Sequence, residues 1–444
     1  MQKAEAGAAA RPPATELRRE LGLREAVAIG IGGTVGGGIF VLVGIAGGTA
    51  GPGALIAFSV AFVVSLFIAL PYAELSCRLP MAGGGYAFAR QALGPHWGFG
   101  MGWIYWGAYV FLSGYVTIGF GGYLAAVTGI PVSLGAGLLV LAITVLNLLG
   151  VKIAGRAQTL VIGAAVVGLA GFAVWGMPNV DLDRMTPFLP NGVNGIFLAA
   201  LVAFLSFGGF DMVAAAAEEI KQPERNLPRA MLLTLFGVLA LYLGVTFVAL
   251  GTLDPAQLGS SLSPLADAAG VFGGETAQRL IVFSALLTTA ATANAILVVT
   301  SRTVFAMSRD RLLPRVFAAI AQRTGIPWLA VLINGLMIAI VALVGTIHMS
   351  SSTGGFLYVL HFLPPLIALV KLRRDPDAPK PRFSTPWPWL LVPLAFLSSI
   401  GLLFASGATG WVIGSSWMLI GAVLYVGYLY QSGRRPLGSR PGTS

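Results

Sequence analysis

Charge is what this chain has least of. Asp, Glu, Lys and Arg make up 10% of its 444 residues, against about 25% in an ordinary soluble protein. With 56% hydrophobic residues, the chain reads as an all-α membrane protein crossing the bilayer many times, and length-based domain counts for soluble chains do not apply. Cysteine is nearly absent: Cys77 stands alone, which excludes an internal disulfide and leaves a small apolar filler near a helix end. The chain has no phosphate-binding glycine loop, no G-x-S-x-G and no H-E-x-x-H, so nothing supports an enzyme or an ATP-driven pump. His348 and His361 have no neighbours at metal-ligand spacing and read as structural; no metal or cofactor is implied. The first twenty residues carry Arg11, Arg18 and Arg19 but no apolar core or cleavage site, and read as a cytoplasmic tail rather than a signal peptide.

What is present in excess is apolar sequence in lengths of about 20 residues, enough for a spanning helix. Twelve such stretches are predicted: 24–47, 53–75, 97–126, 131–150, 157–177, 194–217, 229–251, 277–301, 326–347, 353–371, 388–407 and 410–430. Helix 3 has a possible earlier start near Tyr86, and helix 8 a possible end at Met307. The net charge of +10 could suggest nucleic acid, but its placement argues for topology. Of the 27 Lys and Arg residues, all but Arg184 and Arg279 fall in the two tails and the even-to-odd loops. Lys and Arg favour cytoplasmic loops, so both termini are expected in the cytoplasm of a cell whose inner membrane holds the protein. The longer outward loops, 178–193 and 252–276, contain Pro, Gly and acidic residues and read as surface loops or short lids.

Two of the twelve stretches are poor continuous helices. Helix 1 contains Gly32, Gly33, Gly36, Gly37 and Gly38, and helix 6 contains Ser206-Phe207-Gly208-Gly209. Each interior glycine costs about 1 kcal/mol relative to alanine. Unwound backbone survives at membrane depth only where protein or a water-filled cavity satisfies it. Five helices separate one break from the other. If helices 1–5 (24–177) and 6–10 (194–374) repeat one unit, the copies have opposite orientation, an arrangement common among secondary transporters. Residues 388–430 then add a final helix pair, between tails at 1–23 and 431–444. A half-helix N-terminus suits a carboxylate, and a C-terminus suits an ammonium. A zwitterion with both charges on one carbon matches the two together. Close helix packing is the alternative use of such glycines.

Five stretches in order resemble the amino acid–polyamine–organocation transporter superfamily, particularly its bacterial-type amino-acid permeases. They are Leu21-Gly22-Leu23-Arg24-Glu25-Ala26 leading to Gly36-Gly37-Gly38-Ile39-Phe40; Tyr72-Ala73-Glu74-Leu75 with Gly83-Gly84-Gly85-Tyr86; Gly208-Gly209-Phe210-Asp211 with Glu218-Glu219; Pro223 through Ala230; and Arg302 through Leu313-Pro314. The resemblance implies a LeuT-like fold with alternating access around a midplane site between helices 1, 3, 6, 8 and 10. It implies carboxylate binding by Gly36, Gly37 and Gly38, with Gly37 in place of the common Ser or Thr. It implies ammonium binding by carbonyls of Leu205, Ser206 and Gly208, completed near Gly32 and Gly33. The lysine that some proton-coupled relatives carry in helix 5 falls on Ala165. Thr288 and Thr289 could instead line a sodium site, and exchange without an ion is an equal alternative. No cysteine occurs in Thr128–Pro131, so no disulfide-linked partner subunit is expected.

Four further residues carry a reading. Asp211, just past the second break, is either a protonation site, a contact for a cationic substrate group, or an acceptor for nearby backbone N–H groups. Phe204 and Phe207 share one face and either pack the core or, in the case of Phe207, close over a substrate. Glu74, four residues before Arg78, reads as a gate or structural ion pair. The leading expectation is a secondary amino-acid transporter for a neutral side chain. A polyamine or cationic amino-acid carrier and a non-transporting amino-acid receptor are the alternatives.

Overall fold

The structure, a computed structural model, describes residues 21–79, 84–150, 155–215, 217, 219–378 and 380–432. Most of the N-terminal tail, Gly83, Lys152, Glu218 and residues 433–444 lie outside them. The described residues form helices joined by short loops, without a strand ladder; Leu21 and Ile220 make one isolated parallel bridge. Among these residues nine helices are long and apolar enough to cross a membrane, and two shorter apolar ones accompany them.

In chain order the helices are α1 (Leu23–Thr34), α2 (Gly37–Ala50), α3 (Ala54–Arg78), α4 (Gly84–Leu93), α5 (Pro95–Thr128), α6 (Val132–Leu148), α7 (Gly155–Gly176), α8 (Gly192–Ser206), α9 (Phe210–Ala215), α10 (Pro223–Thr252), α11 (Pro255–Ser260), α12 (Pro264–Arg309), α13 (Trp328–Val344), α14 (Ile347–Leu360), α15 (Leu363–Arg374), α16 (Pro388–Ala405) and α17 (Gly407–Ser432). Several start on proline at the first position, as α5, α10, α11, α12 and α16 do, where its missing N–H costs nothing.

Both glycine-rich stretches interrupt their helices. α1 stops at Thr34 and α2 starts at Gly37; α8 stops at Ser206 and α9 starts at Phe210. Three other places depart from the sequence expectation. Residues 353–371, expected as one helix, are split between α14 and α15 at His361 and Phe362. Pro364 and Pro365 cannot donate to carbonyls four residues back, so the helix restarts there. The segment near Tyr86 forms its own helix, α4, parted from α5 by Gly94 at φ 104°. The stretch 252–276, expected as a loop or lid, is largely helical and bends at Gly274, where φ is 61°.

α5 runs through the middle, packed by α12, α14 and α6, while α10 packs on α3 and α1, and α2 on α8. α17 is fastened to α5 by a reciprocal pair: Trp103 Nε1 donates to the Trp417 carbonyl at 2.8 Å, and Trp417 Nε1 to the Trp103 carbonyl at 3.0 Å. Asn147 of α6 donates to Asn294 of α12 at 2.7 Å, an interhelical bond of the kind that joins spans where water is absent. At the end where α1 begins, Glu74 is fully buried. It pairs with Arg78 at 2.9 Å, with Arg373 of α15, and with the Thr385 amide at 2.8 Å. One carboxylate thus ties α3 to α15 and to the proline-rich linker before α16.

Candidate functional site

The two breaks touch each other. Gly209 has φ 121°, a region closed to residues with a side chain, and a Cβ there would collide with the Gly33 carbonyl. The C-terminal turns of α1 and α8 therefore bring their carbonyls close together, and each needs a donor. Some are met locally: Ile31 O by Val35 N, Phe204 O by Phe207 N, and Leu205 O by Gly208 N. Thr34 O accepts from the Gly36 amide at 2.9 Å and shares with Ser206 O a second donor from elsewhere. The hydroxyl of Tyr242, fully buried on α10, lies 2.9 Å from the first and 3.1 Å from the second. Helix geometry leaves the carbonyls of Gly32 and Gly33 without an intrahelical N–H, since α1 ends at Thr34.

At the start of α2, the Gly37 amide donates to Thr292 Oγ1 of α12 at 2.9 Å. A Cβ on Gly37 would meet Thr289 at 2.7 Å, and one on Gly36 would meet Thr292 at 2.8 Å. These glycines let α2 lie directly on α12. Gly38 has more room: its Cβ would find Tyr115 Oη at 3.4 Å. The amides of Gly38 and Ile39 belong to the first turn and have no acceptor within the helix.

A cavity of about 880 Å³ ends at this crossing. It runs from Leu21, exposed Glu25 and Ala28 along α1 to Gly32, Gly33 and Val35. Its walls come from α7, α12 and α5, including Thr288, Thr292, Leu112, Tyr109 and Tyr115; Leu205, Gly208 and Tyr358 close its deep end. Beyond that point one side of α2 is packed, while Val41, Ile45, Gly48 and Thr49 line a second, separate cavity of about 720 Å³. Tyr123 Oη donates to Phe40 O at 2.6 Å, and Gly44 and Gly48 lie against Leu258 and Gly259 of α11 with no room for a methyl group. The cavity is thus open towards the start of α1 and shut towards the end of α2.

All the expected site residues except Ala165 divide into three groups. Gly32, Gly33, Leu205, Gly208 and Thr288 line the cavity. Gly36, Gly37, Gly38, Ser206 and Thr289 lie at the breaks behind its wall. Phe204, Phe207 and Asp211 face away from it. Phe207 packs on Phe62 and Tyr242, and Phe204 on Tyr358 and Phe362; both are fully buried, and neither covers the cavity. Ala165 is buried between α7 and α12, in an apolar groove shared with Ser284. The hydroxyls of Thr288 and Thr289 donate to their own helix, to Ser284 O and Ala285 O, both at 2.6 Å.

Tyr242, Thr292, Tyr115 and Tyr358 were not singled out from sequence. Thr292 was within reach, because it follows Thr288 by one helical turn and shares its face. So was Tyr242, a hydroxyl in the middle of an apolar span where every donor needs an acceptor.

Helices long and apolar enough to cross a membrane, two of them broken where they face each other beside an apolar cavity, mark a multi-pass membrane protein. Residues 25–372 match the amino acid permease family. The chain is 30% identical over 436 residues to the branched-chain amino acid permease BcaP of Bacillus subtilis, covering 93% of each protein. It is 29% identical over 441 residues to the methylthioribose transporter of the same organism, covering 93% of this chain and 94% of that one. Against the vacuolar cationic amino acid transporter 4 of Arabidopsis thaliana it is 30% identical over 387 residues, 79% of this chain and 64% of that one. The chain belongs to the amino acid permease family, whose members are transporters and not enzymes.

Proposed function

We propose that this protein is a secondary transporter of neutral α-amino acids working by alternating access. The observation that carries this reading is the cavity ending where two helix breaks cross. The carbonyls of Gly32 and Gly33 offer an ammonium two acceptors at a helix C-terminus, with Leu205 and Gly208 beside them. The first-turn amides of Gly38 and Ile39, at the N-terminus of α2, offer donors to a carboxylate. The side chain lies against Leu112, Tyr109 and Tyr115. An apolar wall of that kind favours a neutral side chain, and Asp211 does not line it. Similarity to a permease named for branched-chain amino acids points the same way.

The architecture in this reading is twelve spans, with helices 1–5 and 6–10 as inverted LeuT-like repeats and a final pair. α1 with α2 forms span 1, and α8 with α9 forms span 6. With the termini in the cytoplasm of a cell-membrane protein, the structure is the inward-open state. The hydroxyls of Thr288 and Thr289 donate to their own helix, which leaves their oxygen lone pairs uncommitted, and no ion is assigned to them.

Counterflow of radiolabelled leucine, lysine and putrescine in liposomes tests this. Leucine counterflow is expected to dominate. Preference for lysine or putrescine overturns the neutral assignment. Saturable binding with no counterflow identifies a receptor instead.

A further inference from the structure

We propose that Asp211 and His361 form a proton-binding pair that couples substrate movement to proton movement; the inference rests on the transport reading above. His361 sits at the break between α14 and α15 and is fully buried. Its Nδ1 is in hydrogen-bond contact with the Tyr358 carbonyl. A carbonyl only accepts, so Nδ1 carries the proton and the neutral ring leaves Nε2 as a bare lone pair. That Nε2 is buried without a hydrogen-bond partner. Oδ2 of Asp211 lies 3.9 Å away. Two acceptors face each other, and a proton between them would satisfy both.

The proton balance is one. A proton arriving from one aqueous side adds to Nε2, and the imidazolium N–H then donates to the Asp211 carboxylate. Release to the other side restores neutral imidazole beside carboxylate. Among the described residues, the remaining titratable groups facing the pair are tyrosines. They are Tyr105 and Tyr109 of α5, Tyr358 of α14 and Tyr72 of α3. Among the described residues, Asp211 has no ion-pair partner other than His361.

The pair reaches the substrate site through the other carboxylate oxygen. Oδ1 accepts from the Gly209 amide at 3.2 Å and from the Tyr358 hydroxyl at 3.2 Å. Gly209 is the residue that crosses Gly33, and Tyr358 closes the deep end of the cavity. A bare carboxylate holds both donors strongly, while one neutralised by His361–H⁺ holds them less. Proton occupancy thereby sets how firmly the second break is held against the cavity.

The test uses the full chain in liposomes loaded with a pH-sensitive dye, with the membrane potential clamped. Leucine entering the wild type is expected to acidify the lumen. Its KM should vary with pH by up to about tenfold per unit, the limit for one linked proton. In His361→Gln the amide N–H₂ donates permanently to Asp211. Leucine counterflow should remain measurable while proton movement stops and KM no longer varies with pH. Wild-type counterflow without proton movement overturns the pairing and leaves amino-acid transport standing. So does proton movement retained at wild-type stoichiometry in His361→Gln. Absence of any amino-acid counterflow in the wild type strikes the transport reading instead. If His361→Gln does not fold, His361→Asn and wild-type proton uptake on leucine binding in weakly buffered detergent decide the matter. Uptake of no protons by the wild type rejects the pair.

Discussion

Removing one oxygen from Tyr242 separates a positioning role from a packing role. Its hydroxyl lies 2.9 Å from Thr34 O and 3.1 Å from Ser206 O. These are the terminal carbonyls of α1 and α8, both at the partly negative ends of their helices. Tyr242→Phe keeps the ring, which packs on Phe58 and Phe207 at centroid distances of 6.0 and 5.6 Å. The loss is therefore the donor alone. Thr34 O keeps the Gly36 amide at 2.9 Å, so the acceptor that the substitution strands is Ser206 O, at a cost of about 1–3 kcal/mol for a buried group.

Where that cost falls is measurable. If the bridge holds the breaks in the arrangement that binds substrate, the competent fraction drops, and affinity per folded molecule falls by about 5- to 150-fold. Leucine binding to purified protein, measured by the substrate-induced rise in melting temperature, should then weaken by that factor, with the ligand-free melting temperature nearly unchanged. If Tyr242 only packs, the ligand-free protein melts earlier while the affinity of the folded fraction stays as it was. Unchanged affinity in a stable Tyr242→Phe protein refutes the positioning argument.

Other substitutions probe neighbouring contacts. Thr292→Val removes the acceptor of the Gly37 amide and should lower leucine affinity by about tenfold, the effect of about 1.4 kcal/mol; equal affinity in a binding titration would count against a role for α12 at the break. Gly38→Ala adds a methyl group with ordinary contacts, so the protein should fold normally yet bind leucine more weakly. Undiminished uptake would move the carboxylate site away from α2. Glu74→Ala leaves Arg78 and Arg373 without their shared carboxylate and should destabilise by about 3–5 kcal/mol, as loss of one partner in a buried pair does. A melting curve matching the wild type would show that α15 is held by other means.

The positions of the breaks were legible because glycine's cost in a helix is local and adds along the chain. Gly32 through Gly38 and Gly208-Gly209 mark them without any knowledge of the fold. The break at His361 was equally written in Pro364-Pro365, but an apolar run long enough to span drew attention away from it. What satisfies the breaks was not legible. Tyr242 and Thr34 lie 208 residues apart, and Gly37 and Thr292 lie 255 apart; no local pattern links such pairs. For Phe207 the sequence left two readings, core packing and a gate. Its place inside the break kept both open, because a residue there can point to either side, and this one points into the packing against α3 and α10.

The way α1 is held bears on how the cavity could close. At its C-terminal end it meets the second break directly, Gly33 on Gly209. At its N-terminal end, Leu21 N donates to Glu219 O at 2.9 Å and Lys221 N donates to Leu21 O at 2.7 Å. Both ends of α1 are thus tied to the segment containing α9. α1 also packs along α10 and has few contacts with α7, the wall across the cavity. A motion of α1 towards α7 would shut the open side, but it cannot happen at fixed hydrogen bonding unless α9 follows. The two half-helices are therefore joined at both ends, and Asp211 lies at the start of α9. If the proposals above hold, a proton at Asp211 and a zwitterion at Gly33 would act on the same joined pair, which is the physical condition for either to bias the binding of the other.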